Sequence, residues 1–274
     1  MADDNCLPCI TTYIEMKLLS FDLRADMGFF KKPDINEKIY LTYNMLHRPA
    51  LLGILGAITG LKGYEKNGTM PEYYEKLKHL KIGIEPLDSD NGNYTKTTIS
   101  YNNTTGLASN EEGGNLIVTE QVLLKPSFRC YVLLDITNDV EHTLYTRITN
   151  QEAEYLPYLG KNDFSAWWTR DSVKEYVYTQ ELPQTSFVIK SIFNKGNSTV
   201  NEEKHELMDD FDLFAMEPTN PIFFYFEKLP VGFNEELKQY QMSDFAYTSA
   251  KFRKNTSLKN LYFLDKEEVY VQLF

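Results

Sequence analysis

The sequence predicts an α+β protein, and three observations carry that reading. Residues 12–24 alternate apolar and polar positions, as a half-buried strand does. Residues 49–62 repeat apolar side chains at helical spacing. Beyond about residue 165 the chain breaks into short runs rich in β-branched and aromatic residues. A few helices set among strands, followed by strands alone, point to α+β and away from a regular βαβ alternation.

In order along the chain, Tyr13, Ile14, Met16, Leu18, Phe21 and Leu23 mark a first, central strand. Residues 25–36, with Gly28, Lys31, Lys32 and Pro33, read as a loop. Pro49 opens a helix, because its missing N–H would have no partner in a first turn. Leu51, Leu52, Leu55, Ile58 and Leu61 share its apolar face, and Gly63 suits its end. Gly53, Gly56, Ala57 and Gly60 form a small-residue face. Each interior glycine costs about 1 kcal/mol relative to alanine. The face therefore implies a second backbone packed close, with the helix lying tight on a sheet. The apolar run 50–61 is too short for a membrane span, which needs roughly 20 residues.

Pro71 begins a second helix with Tyr74, Leu77 and Leu80, and 81–86 reads as a short strand. Residues 88–115 are rich in Asn, Gly, Thr and Ser, but strand-like segments at 94–101 and 116–124 flank them. A long hairpin arm fits better than a structureless loop. Residues 128–136 form a strongly apolar strand, and 152–168 a compact aromatic turn. Short strands follow at 173–192, 222–228, 245–250, 258–264 and 269–274. This order is compatible with a ferredoxin-like (RRM-like) domain over 1–165 with a hairpin insertion near 88–125, and a mainly β region over 166–274.

The net charge of −11 argues at face value against a nucleic-acid partner. The charge is unevenly spread. Residues 202–217 hold seven acids against one base, which is more than half of the total. That window reads as a solvated loop or helix face, or as a surface for a basic partner. Bases gather at Lys31, Lys32, Lys38 and Arg48, and at Lys251, Arg253, Lys254 and Lys259. The N-terminal MADDNCLPC has no apolar signal-like core, so a cytoplasmic location is expected. Cys6 and Cys9 have redox-pair spacing but sit in a polar tail, with no further zinc ligands near them. No phosphate-binding loop, nucleophile elbow or HExxH motif occurs, and His47, His79, His142 and His205 are widely spaced. No metal or cofactor is expected. Asp209, Asp210 and Asp212 read as surface charge.

The aromatic signature of RNA-binding RRM sheets is also absent, so any nucleic acid would be held by loops, with cations on phosphates and rings on splayed bases. Two places supply both residue types. One is Lys31 and Lys32 with Tyr43, His47 and Arg48. The other is Lys161 with Trp167 and Trp168. Core tryptophans and solvated lysines remain the structural reading of each.

Three stretches, YNMLHRPALLGILGAITGL (43–61), EQVLLKPSFRCYVLLD (120–135) and YLPYLGKNDFSAWW (155–168), resemble in the same order the fifth Cas protein family, most closely its type I-B branch. That family caps the 5′ end of the guide RNA in CRISPR Cascade complexes. The resemblance implies a ferredoxin-like N-terminal domain with a hairpin thumb where 88–115 falls. It implies a grip on the crRNA 5′ handle and contacts with the Cascade backbone and large subunits, and leaves target DNA open as a further partner. It places Lys31, Lys32, Tyr43, His47 and Arg48 on the handle, adds Lys125 and Arg129 at the thumb base, and marks Gly160 and Lys161 as motif positions. One branch of the family cuts precursor RNA with a Tyr and a Lys-His pair near the thumb. Here Lys78-His79 and Lys204-His205 fall outside the thumb, so a non-catalytic subunit is expected. A metal-independent endoribonuclease and an unrelated α+β binding protein are the alternatives.

Overall fold

The computed structural model describes residues 15–33, 39–66, 68–103, 116–181, 184–195, 210–212, 221–254 and 256–274. The Cys6/Cys9 pair, the hairpin tip at 104–115 and most of the acidic window lie outside them.

Strand β1 (Met16–Ala25) leads through a bend at Asp26 into β2 (Met27–Gly28). Helices α1 (Arg48–Thr59) and α2 (Glu72–Leu77) follow, then β3 (Lys81–Leu87), β4 (Lys96–Asn103), β5 (Leu116–Leu124) and β6 (Ser127–Asp135). Helix α3 (Asp139–Asn150) precedes β7 (Ala166–Trp167), β8 (Lys174–Tyr176), β9 (Tyr178–Thr179) and β10 (Phe193–Asn194). The chain closes with β11 (Phe224–Asn234), β12 (Gln239–Thr248), β13 (Leu261–Leu264) and β14 (Val269–Gln272). It is an α+β structure of mostly antiparallel sheets. Among the described residues no helix is long and apolar enough to cross a membrane.

The main sheet runs β3-β6-β1, with β7 and β8 both on the far edge of β1. Residues beyond 165 thus complete this sheet. Its two faces follow from strand alternation. Leu19, Phe21 and Leu23 of β1, with Phe128, Cys130 and Val132 of β6, meet Leu51, Leu52, Leu55 and Ile58 of α1 in one core. Leu18, Tyr131 and Leu133 point the other way and pack on Tyr262, Val271 and Leu273 of the β13–β14 region. Burying each of α1's leucines contributes about 1.5–3 kcal/mol. Leu229 of β11 and Phe245 of β12 enter the same core as α1, which ties the C-terminal strands to the first half of the chain. Between β3 and β6 the chain leaves the sheet as the β4–β5 hairpin, with β2 paired on β5.

Three expectations change. The small-residue face of α1 does not lie on the sheet. Tyr73 of α2 covers part of it, and a Cβ at Gly56 would collide with the Tyr73 side chain. The leucines face the sheet because only they have apolar area to bury there. Helix α3 was not expected, although its signals are present. Asn138 caps it by accepting from the Val140 and Glu141 amides, and Leu144 and Ile148 are buried four residues apart. Its polar face outweighs that stripe in composition.

The acidic window also departs from a solvated run where it is described. Asp210 is buried and accepts from the Ser257 amide at 2.9 Å.

Candidate nucleic-acid interface

The segment after β2 doubles back on itself and then docks on the hairpin. The Tyr43 amide donates to the Phe30 carbonyl at 2.8 Å, and the Lys32 amide to the Leu41 carbonyl at 2.9 Å. The Tyr40 amide donates to the Thr119 carbonyl, and the Gln121 amide to the Tyr40 carbonyl, both at 2.9 Å. Lys31 is thereby presented beside β5, exposed, with its Nζ 3.7 Å from the centre of the Tyr40 ring. Lys32 is half-buried, 5.1 Å above the Tyr43 ring and 3.5 Å from Glu227 Oε1.

Glu227 comes from β11. Its carboxylate accepts from the Asn44 amide at 3.0 Å, the Met45 amide at 3.1 Å and the Tyr225 hydroxyl at 2.7 Å. Lys96 of β4 stands in the same field. Burial lowers its pKa, the Glu227 charge opposes that, and Lys32 adds to the lowering.

His47 and Arg48 have different surroundings. His47 is the N-cap of α1, with Nδ1 accepting from the Ala50 amide at 3.3 Å. Its ring is buried among Phe30, Tyr43 and Tyr240, with ring centres 5.4–5.6 Å away. Burial pushes its pKa down to about 3, so the imidazole is neutral. Arg48 turns its guanidinium inward to four carbonyls, those of Lys78 (2.5 Å), Leu80 (3.1 Å), Val231 (3.1 Å) and Phe274 (3.2 Å). It joins the start of α1 to the α2–β3 turn, to β11 and to the last residue.

Midway along the β4–β5 hairpin Lys161 donates to Glu120 Oε2 at 2.7 Å and to the Tyr101 hydroxyl at 3.1 Å, and Tyr101 donates to Glu120 Oε1 at 2.9 Å. Burial lowers the Lys161 pKa, but the bonds to Glu120 and Tyr101 reverse this and hold it above the ordinary lysine value. Gly160 sits at φ +85° directly over the Phe29 carbonyl, where any Cβ would collide. Lys125 is exposed in the β5–β6 turn, at φ +47°.

Arg129 lies apart from this group. It points to the sheet face opposite α1 and binds Asp22 through two bonds of 2.7 and 3.0 Å, with Glu85 at 4.0 Å. Trp168 is core, its Nε1 donating to the Ile148 carbonyl at 3.0 Å, while Trp167 is partly exposed.

The structure therefore sets Lys31 and Lys161 against the β4–β5 hairpin, and Lys32, Tyr43 and His47 on the adjoining segment that packs on β11 and β12. It leaves Lys125 on the adjoining turn and Arg129 on the other face. Tyr40, Lys96, Tyr101, Glu120 and Glu227 complete the site and were not read from the sequence. Only the alternation of 94–101 hinted at any of them. The exposed Lys31 and Lys125 amines can meet an anionic backbone, while Glu120 and Glu227 hold Lys161 and Lys32. No group of three or more potential metal ligands occurs among the described residues.

No family model matches this chain, and no curated protein does. Solved structures of CRISPR proteins do resemble it. A chain of a "CRISPR RNA-guided surveillance complex" aligns at 11% identity over 87% of this chain and 92% of that one, with a TM-score of 0.46. A CRISPR protein from Archaeoglobus fulgidus aligns at 11% identity over 93% and 97%, with a TM-score of 0.44. A chain of the type III-B Cmr-beta complex bound to cognate target RNA and AMPPnP aligns at 10% identity over 93% and 99%, with a TM-score of 0.49. At such identities and scores these are likenesses and no more.

Proposed function

We propose that this chain is a non-catalytic subunit of a type I (Cascade) CRISPR RNA-guided surveillance complex, of the I-B branch, acting in antiviral defence. In this reading it binds and caps the 5′ handle of the crRNA and contacts the backbone and large subunits.

One observation carries the reading. The three stretches that resemble the fifth Cas protein family meet in space. The Tyr155 amide donates to the Ala57 carbonyl at 3.0 Å, joining the third stretch to the first. Lys161 closes on Glu120, joining the third to the second. The third stretch thus touches both of the others, the first on the C-terminal half of α1 and the second on β5 of the hairpin. The sheet order β3-β6-β1-β8, with helices α1 and α3 on one face, supports a ferredoxin-like reading of the first half. The β4–β5 hairpin between β3 and β6 then corresponds to the thumb.

Lys31, Lys32 and Lys125 are the amines we place on handle phosphates. Tyr43, His47, Arg48 and Lys161 hold the platform that presents them. Arg129 stabilises the sheet beneath it. In guide-RNA effectors base pairing reads the target, while protein reads backbone and shape. The His47 imidazole is buried and its Nδ1 is taken up by the Ala50 amide, so it is badly placed to take a 2′-hydroxyl proton.

Coexpression with candidate partner subunits and a repeat-derived guide RNA tests this. The chain should copurify with both. Lys31→Glu with Lys125→Glu should weaken RNA binding and flatten the salt dependence by roughly 0.7 of a log–log unit per lost phosphate contact. Wild-type binding by that double variant would remove both lysines from the interface. Specific cleavage of repeat RNA in EDTA would overturn the non-catalytic reading.

A further inference from the structure

The face of α1 that carries Ala50, Gly53 and Ala57 forms the floor of a groove of about 770 Å³. Its walls are aromatic. Tyr73 stands on α2, Tyr64 in the loop after α1, Tyr155 and Tyr158 in the loop after α3, and Phe233 and Tyr240 on the β11–β12 hairpin. Three of these rings are open to solvent, with Tyr64 64%, Tyr155 53% and Tyr158 42% exposed. Exposed apolar area gathered in one hollow marks an interaction site more often than scattered exposure does.

Three features choose the occupant. The walls are flat rings bearing hydroxyls on a floor of small residues, which suits planar groups slid between them. The groove also opens into a smaller hollow of about 350 Å³ that shares Tyr64 and Glu65 with it and is lined by Lys66 and Lys238. Among the described residues Glu65 is the only acid lining either hollow, and Lys62 pairs with it at 2.9 Å, so the unmatched charge at the mouth is positive. Finally, the groove adjoins the segment that contacts the hairpin. Gly160 lines it, while the next residue, Lys161, reaches Glu120.

We propose that this groove takes one or two unpaired bases of single-stranded RNA, stacked against Tyr64, Tyr155 and Tyr158, with Lys66 and Lys238 on the adjoining phosphates. Aromatic rings beside a cationic track are the common device for holding single strands without reading sequence. The proposal rests on the RNA-binding reading above and extends the RNA path from the lysine platform onto α1.

The test measures affinity of the full chain for a single-stranded RNA of about ten nucleotides. It compares wild type, the triple variant Tyr64→Ala/Tyr155→Ala/Tyr158→Ala, its Phe counterpart, and Lys31→Glu/Lys125→Glu. An abasic site is walked along the RNA in parallel. The Ala variant should bind at least about tenfold more weakly, and the Phe variant, which keeps the rings, should bind like wild type. One or two abasic positions should weaken wild type and leave the Ala variant no weaker. The groove proposal fails if the Ala variant binds like wild type while the lysine variant does not. It also fails if the Ala variant keeps its RNA but no longer copurifies with partner subunits, since the groove would then be a protein site. If wild type has no affinity for RNA, the platform reading falls together with the groove.

Discussion

Lys161 and Glu120 lie 41 residues apart in sequence and meet at 2.7 Å under the hairpin. Glu120 is buried, and its only cationic partner among the described residues is Lys161. The pair anchors the β4–β5 arm to the loop that also walls the α1 groove.

Removing the amine should therefore cost stability. Lys161→Met leaves a buried carboxylate with a tyrosine hydroxyl alone. We expect a loss of about 2–3 kcal/mol, less than for a fully enclosed pair because Lys161 still sees solvent. Adding Glu120→Gln should restore most of it. Urea unfolding of the four proteins of the cycle gives the coupling. A double variant as unstable as Lys161→Met would mean that the buried charge is not the cause.

Arg48 should be more sensitive than any surface lysine. Its four acceptors belong to three separate parts of the chain, and a point-charge amine cannot fork between them. Arg48→Lys should lose about 3 kcal/mol, and Arg48→Met at least as much, as the carbonyls are left unmet. Because Phe274 supplies one of them, the C-terminal residues should show early hydrogen exchange in both variants. Unaltered protection there would separate Arg48 from the C-terminal contact.

His47 gives the acid side of the stability profile a specific shape. Its folded pKa, about 3, is depressed from an ordinary value of 6.5. Its contribution is thus complete above pH 6.5 and is lost as pH falls from there towards 3, because only the unfolded chain takes the proton. The slope approaches about 1.4 kcal/mol per pH unit. His47→Asn keeps a side-chain acceptor for the cap and removes the titration. Between pH 7 and pH 5 wild type should lose about 2 kcal/mol more than the variant in denaturant unfolding. Parallel profiles would show that the ring is not held neutral by burial.

These cases show what the sequence could and could not convey. Local periodicity located β1, α1, the hairpin strands and β6, since each buries a stripe that repeats within a few residues. It missed α3, whose stripe is Val140, Leu144 and Ile148 in a polar setting. The approach to α1 was legible as a place, but not the tasks of its residues. His47 reads equally well as a cap or as a ligand until Phe30, Tyr43 and Tyr240 surround it. Glu227 lies 183 residues from Asn44, and no spacing rule connects them. The small face of α1 implied a sheet packed close against it; the Tyr73 side chain covers part of that face instead, and the rest lines a groove.

The ladder Glu85–Arg129–Asp22 gives the last test. These residues are register partners across β3, β6 and β1, and both carboxylates are buried. Burial raises the Glu85 pKa, while the Tyr131 hydroxyl and the Arg129 charge pull it back. The bonds to Asp22, outweighing burial, hold the Arg129 guanidinium firmly charged. Arg129→Met removes the cation that bridges two buried acids, leaving Glu85 with the weaker charge of Lys190, and should cost about 3–5 kcal/mol at pH 7. The sign of the pH effect follows from the raised carboxyl. A folded state that holds a proton more tightly than the unfolded chain gains stability as pH falls towards the folded pKa. Without Arg129 this gain should grow, because the Asp22 charge then raises Glu85 with less to oppose it. The stability gap between wild type and Arg129→Met should therefore narrow from pH 7 to pH 5 in urea unfolding. A gap that stays constant would mean that lost packing of the arginine stem, and not exposed charge repulsion, accounts for the destabilisation.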